Sequence, residues 1–171
     1  LHLAKADDTL VIDCHCHILP GIDDGPPHTD ESVAMARIAA EDGIKTIIAT
    51  PHVDPDAAEL TPQEIRQHTS ALNTVLQHEG IPVSVLPGAE NQISPELAEH
   101  VKAKRVMTLA DQGRHLLVEL PSAGYPVFIA ELLFRLQLMG ITPVLAHPER
   151  AALGYTDPAL VWQLAERGVL L

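Results

Sequence analysis

Short apolar, β-branched runs alternate along the chain with stretches whose apolar positions recur at helical spacing. The runs at 9–14, 45–50, 83–86, 116–120 and 142–146, with a last one at 168–171, predict strands. Between them a helix is expected from about 30 to 42, stopped by Gly43. The next opens at Thr61-Pro62-Gln63-Glu64, which combines a capping box with proline at the first helical position, and ends near Gly80. Ser94-Pro95 and Asp157-Pro158 are similar openings, and the apolar run 127–139, ended by Gly140, predicts a helix with a wide buried face. Strand–helix alternation at roughly 30-residue spacing implies βαβ units, hence an α/β domain with a parallel sheet. An open doubly wound sheet and a barrel both fit. A full barrel takes about 250 residues, so on that reading six strands in 171 residues stop before the ring closes.

Composition narrows this to one domain over 1–171: 46% apolar residues can fill one sizeable core. There is no membrane-length apolar run and no signal peptide, so a cytoplasmic protein without membrane insertion is expected. The first residue is Leu, which suggests a trimmed or unseen N-terminus. A net charge of −12 argues against a nucleic-acid surface and makes an anionic substrate awkward unless bound cations reverse the local field. Two cysteines one residue apart do not make a disulfide framework.

The chemistry-bearing residues collect where the strands end. The first strand leads into VIDCHCHILPGIDDG, with His15 and His17 followed by Asp23 and Asp24. The second ends in Thr50-Pro51-His52, the third in Gly88-Ala89-Glu90, the fourth carries Glu119, and the fifth ends in Ala146-His147-Pro148-Glu149-Arg150. Five consecutive strands thus each deliver an imidazole or carboxylate to one rim, the place where parallel α/β folds build their sites. Side chains alternate along a strand, which puts Asp13, His15 and His17 on one face and Cys14 and Cys16 on the other, where they are expected to pack outward beneath a helix as small hydrophobes. Neither cysteine has the downstream arginine of a cysteine-dependent phosphatase loop, and no phosphate-binding glycine loop or nucleophile-elbow motif is present. Mixed imidazole and carboxylate donors suit Zn, Mn or Fe, and two or more such ions suit phosphoester hydrolysis.

DCHCHILPGIDDG, TPH, GAE and AHPER, in this order on these strands, resemble the PHP (polymerase and histidinol phosphatase) superfamily of metallophosphoesterases. LPGIDDG together with TPH and HPER is most similar to its bacterial tyrosine-protein phosphatase branch, associated with capsular and exopolysaccharide synthesis. The resemblance covers residues 10–171 and implies a distorted (β/α)7 barrel with a site for two or three divalent ions, manganese first, with iron or zinc as alternatives. Carried over by position, His15, His17 and Glu90 would hold one metal; Glu90, Glu119 and His147 a second; Asp24 and His52 a third. Arg150 matches an arginine placed on the phosphate or leaving group, for which its forked donors are suited. The implied reaction is hydrolysis of phosphotyrosine by a metal-bound hydroxide, and the implied partner a tyrosine autokinase; an oligomer is compatible with this.

The family pattern closes with an Asp-x-His that supplies further ligands, and none occurs after Arg150. This suggests loss of a C-terminal part or, alternatively, a site that binds metal without turnover. A histidinol-phosphatase-like activity on a small substrate is the other alternative. Away from the rim the expectations are plain. Asp13 supports the site from behind, Asp23 forms the turn, and Glu149 orients Arg150 or faces solvent. His68, His78 and His100 are solvated on helices, and His2, His28 and His115 lie off the rim, though His28 could border its mouth. Trp162 is expected in the core.

Overall fold

The computed structural model describes residues 11–54, 57, 60–124 and 126–171. The first two residues of the expected 9–14 strand, and His2, lie outside them. The chain runs β1 (Val11–Cys16), α1 (Thr29–Glu41), β2 (Ile44–Ala49), β3 (His52–Val53), α2 (Pro62–His78), β4 (Ser84–Pro87), β5 (Glu90–Gln92), α3 (Leu97–Lys102), a 3-10 turn (Leu109–Asp111), β6 (His115–Glu119), α4 (Ile129–Leu138), β7 (Thr142–Ala146), α5 (Ala152–Thr156) and α6 (Pro158–Glu166). All strand pairings among the described residues are parallel, in the orders β1-β2-β4 and β3-β5-β6-β7. The α/β class is therefore the one expected.

Two expected strands continue past their site residues. Pro51 has no N–H to give a ladder, so the chain breaks after β2 and resumes as β3. The Gly88-Ala89 step separates β4 from β5 in the same way. The two breaks lie side by side, bridged by the Glu90 N–H donating to the Pro51 carbonyl at 3.0 Å. His52 and Glu90 thus open new strand segments, which fixes their backbone on both sides. The expected strand 168–171 reduces to one bridge, Leu170 beside Val144, because only that residue comes into register with β7 after α6 turns at Gly168.

Helix α2 begins as its sequence predicts: the Thr61 hydroxyl accepts from the Glu64 N–H, and the Glu64 carboxylate accepts from the Thr61 N–H at 2.8 Å. Such a cap is worth about 1 kcal/mol. Its buried face, Ile65, Thr69, Leu72 and Leu76, packs with Ile47, Val83 and Val85 in one core cluster. A second cluster joins α3, α4 and α6 to β6 and β7 through Leu97, Leu116, Val118, Leu133, Leu145 and Leu164. Each fully buried Leu or Ile contributes roughly 1.5–3 kcal/mol.

Three expectations are corrected. Trp162 is 68% exposed, because Val161 and Leu164 take the inward face of α6 and residue 162 points away from it. His100 is 2% exposed, because it shares the buried face of α3 with Leu97, one turn earlier. Cys14 is exposed: β1 is an edge strand, and the face that carries Cys14 is open in the same way at Ile12. Cys16 packs against the core as expected, but it also borders the cavity lined by His15 and His17, because the β1–β2 register shifts between Asp13 and Cys16.

Candidate metal centre

Glu90 is the hub. It is 1% exposed, and its two oxygens meet four imidazoles. Oε2 lies 2.9 Å from His15 Nε2, 3.1 Å from His17 Nε2 and 3.3 Å from His52 Nε2, while Oε1 lies 2.9 Å from His147 Nε2. Glu119, the last residue of β6, places Oε2 3.6 Å from His52 Nε2. Asn91 secures the hub from behind: its buried amide donates to the carbonyls of Ala89, Met107 and Leu117.

The loop after β1 supplies the other wall. It folds tightly around Gly25, where a Cβ would stand 2.6 Å from the Leu19 carbonyl and 2.9 Å from that of Ile22. Asp23 adopts the left-handed conformation of a turn (φ 53°). It also does more than turn the chain. Its Oδ2 accepts the His52 backbone N–H at 2.8 Å and lies 2.7 Å from His52 Nδ1 and 3.0 Å from His17 Nδ1. Asp24 Oδ1 lies 2.7 Å from His17 Nδ1 and 4.0 Å from His52 Nδ1. Asp13 accepts the His15 N–H at 3.1 Å, and Thr50 receives the Cys16 N–H at 3.0 Å, so His15 and the start of the His17 segment sit on a pinned backbone.

The ligating atoms form three overlapping sets, each within 4.8 Å: His17, Asp23, Asp24 and His52; His15, His17 and Glu90; His52, Glu90 and Glu119. His147 joins through Glu90 and stands outside these sets. Of the residues expected from sequence, His15, His17, Asp24, His52, Glu90 and Glu119 therefore come together, and Asp23, read there only as a turn-former, is added. The signal for it was the doubled Asp in GIDDG, whose two carboxylates both reach His17 Nδ1 from one tight turn.

Arg150 stands apart. It is exposed in the turn after β7, where its N–H donates to the His147 carbonyl at 2.8 Å and His147 itself has a positive φ of 28°. It lines a cavity of about 630 Å³ with His15, His17, Glu119, His147 and Glu149. A second cavity, about 470 Å³, opens on the other side of His52, Glu90 and Glu119.

The donor set fits a divalent cation. Where Asp23 and Asp24 take the Nδ1 protons of His17 and His52, the Nε2 atoms carry lone pairs aimed at the lone pairs of Glu90. A cation shared between them, or protonation of the imidazoles, relieves that opposition. The electrostatics describe the second course, with imidazoles that donate to the carboxylates. Burial by itself would raise the Glu90 carboxyl, but hydrogen bonds from His15 and His17 and the fields of His15 and His52 hold it far below its ordinary range. Burial would lower His17, yet Glu90, Asp24 and Asp23 together raise it. Asp23, against its own burial, is lowered by the His52 N–H and by both imidazoles. Cys16 differs: burial and the nearby Asp13 push its thiol up to about 11, so it offers no thiolate nucleophile near neutral pH.

Residues 11–171 match the family described as Capsular polysaccharide synthesis, CpsB/CapC. Tyrosine-protein phosphatase YwqE of Bacillus subtilis (strain 168) is 40% identical over 158 residues, which are 92% of this chain and 62% of YwqE. Tyrosine-protein phosphatase CpsB of Streptococcus pneumoniae is 29% identical over 140 residues, covering 82% of this chain and 57% of CpsB. A solved structure from work on YwqE and CpsB as metal-dependent tyrosine phosphatases superimposes with a TM-score of 0.87 at 40% identity, over 93% of this chain and 64% of the other. The chain thus spans less than two thirds of the length of these relatives.

Proposed function

Because the chain belongs to the CpsB/CapC family of capsular polysaccharide synthesis, we propose that it is the site-bearing part of a metal-dependent protein-tyrosine phosphatase that acts on a tyrosine autokinase of that pathway. The observation that carries this reading is the buried Glu90 carboxylate, ringed by four imidazoles, of which His17 and His52 have their far nitrogens held by aspartates. The relatives' names supply the substrate class.

In this reading His15 and His17 would hold one ion with Glu90, Glu119 and His147 would hold a second with Glu90, and Asp24 and His52 would hold a third. Manganese is the first candidate for these imidazole and carboxylate donors. When bound, the ions supply positive charge for phosphoryl oxygens and lower the pKa of water. Glu90 and Glu119 would otherwise repel a phosphate, so cation loading must precede substrate binding. Arg150, on the wall of the larger cavity, grips a phosphoryl oxygen with its forked donors. Asp23 keeps the Nδ1 protons of His17 and His52 on the side away from Glu90.

The same reading makes the chain part of one PHP-type domain with a distorted (β/α)7 barrel, supported by the parallel pairing throughout. It also implies a cytoplasmic setting. No helix among the described residues is long and apolar enough to cross a membrane.

The experiment is hydrolysis of a phosphotyrosyl peptide by the purified protein, with manganese and then with chelator. Turnover that needs manganese and stops on chelation is the expected result. Activity on histidinol phosphate with none on the peptide would replace the substrate class. Tight metal binding without any turnover would leave a metal-binding domain.

A further inference from the structure

Resting on the phosphomonoesterase reading, we infer that the cavity walled by Ile22, Val53 and Leu60 is an aryl subsite that takes the ring of a phosphotyrosyl group. The two cavities share His52, Glu90 and Glu119, so a phosphoryl group at the metal-ligand cluster has two ways to project the rest of its ester. They differ in their walls. The 630 Å³ side presents His15, His17, Asp24, His147, Glu149 and Arg150, and among its apolar residues, Cys16, Leu120 and Ala151, only Leu120 is a large aliphatic. The 470 Å³ side also carries Asp23, Asp54 and Gln92, but it places three large aliphatics, Ile22, Val53 and Leu60, together next to His52.

Those three side chains form a firm apolar wall. Val53 is buried, and Ile22 and Leu60 are half-buried with part of their surface packed on the α2 core cluster. Val53 directly follows His52 in β3, so the wall and the ligand share one strand segment, fixed by pairing with β5. Ile22 directly precedes Asp23 in the turn that holds His17 and His52. The apolar surface is therefore positioned by the same backbone that positions the cluster. Size is no obstacle, since an apolar cavity of about 150 Å³ already holds benzene. A ring in this position leaves the phosphate between the cluster and Arg150, with the peptide at the open mouth. Alkyl phosphoesters gain nothing from the wall, which makes the cavity a determinant of aryl over alkyl specificity.

The test measures binding, separately from turnover. Calorimetry with the manganese-loaded protein compares phenylphosphonate with methylphosphonate. Wild type is expected to bind the phenyl compound about tenfold tighter or more. The Ile22→Ser/Leu60→Ser double variant should lose that preference while methylphosphonate affinity stays within about twofold. Leu60→Trp, which fills the cavity without removing apolar contacts, should do the same and guards against misfolding of the first variant. Equal wild-type affinity for both compounds, or a preference that survives both variants, overturns the subsite. Hydrolysis of phosphotyrosyl and phosphoseryl peptides separates the two readings. If neither is hydrolysed but the phenyl preference and its loss persist, the subsite stands and the phosphatase reading falls. If both are hydrolysed alike without any phenyl preference, the subsite falls and the phosphatase reading stands.

Discussion

The loop after β1 and the turn after β7 approach the Glu90 carboxylate from different sides, and they are built differently. On the first side every polar group has several partners: His17 touches Glu90, Asp23 and Asp24, and Asp23 also holds the backbone and ring of His52. On the second side one contact reaches the hub, His147 to Glu90 at 2.9 Å, and Arg150 remains exposed on the cavity wall. A network that holds carboxylates ionised and histidine nitrogens oriented suits a cation that stays. An exposed guanidinium with a free approach suits a ligand that comes and goes. On the proposed reading the first rim retains metal, and the turn after β7 adds one metal ligand, His147, beside the arginine that handles substrate.

The largest effect should come from the hub they share. Glu90→Gln keeps the shape but removes the charge that four imidazoles face, and should weaken divalent binding by at least about 100-fold. Metal content after dialysis and peptide turnover should then fall together. Arg150→Ala tests the other rim. Loss of a charge-assisted donor to the phosphoryl group should cut kcat/KM by about 10²–10³ while metal content stays at the wild-type level. If Arg150→Ala also sheds metal, the division of labour is wrong. Asp23→Asn comes next. It keeps an acceptor but loses the charge beside two Nδ1 protons, and should weaken metal affinity about 10–100-fold. An effect on turnover at saturating metal, with affinity unchanged, would move Asp23 to the substrate side.

Much of this was legible in the chain because periodicity and local chemistry agree. The capping box at Thr61 and Glu64, the glycine stop after α1 and the strand-end positions of the histidines each follow from near neighbours. The splits of β2 from β3 and β4 from β5 were not legible: Pro51 and Gly88 announce a break, but only pairing across the sheet shows that a strand resumes beyond it. Trp162 and His100 failed for a related reason. Residue type argued one way and helical phase the other, and phase won in both. Asp23 was half legible. Its turn is local, whereas its hold on His52 spans 29 positions and needs the fold.

The smallest effect is expected within the first rim itself, at the cysteines that alternate with its histidines. Cys14 faces outward from the edge strand, and Cys16 turns into the core. Burial, with the Asp13 charge, raises the Cys16 thiol to about 11 from an ordinary 9.0, so at pH 8 it is overwhelmingly protonated. Alkylation needs the thiolate. Iodoacetamide at pH 8 should therefore label Cys14 and spare Cys16 in the folded protein, with both labelled after denaturation, as read by peptide mass. Cys16→Ala should leave peptide turnover within about twofold, since the site draws on the imidazoles of β1 and not its sulfurs. Labelling of native Cys16 at a rate like that of Cys14, or a large loss of turnover in Cys16→Ala, would put the thiol inside the reacting set.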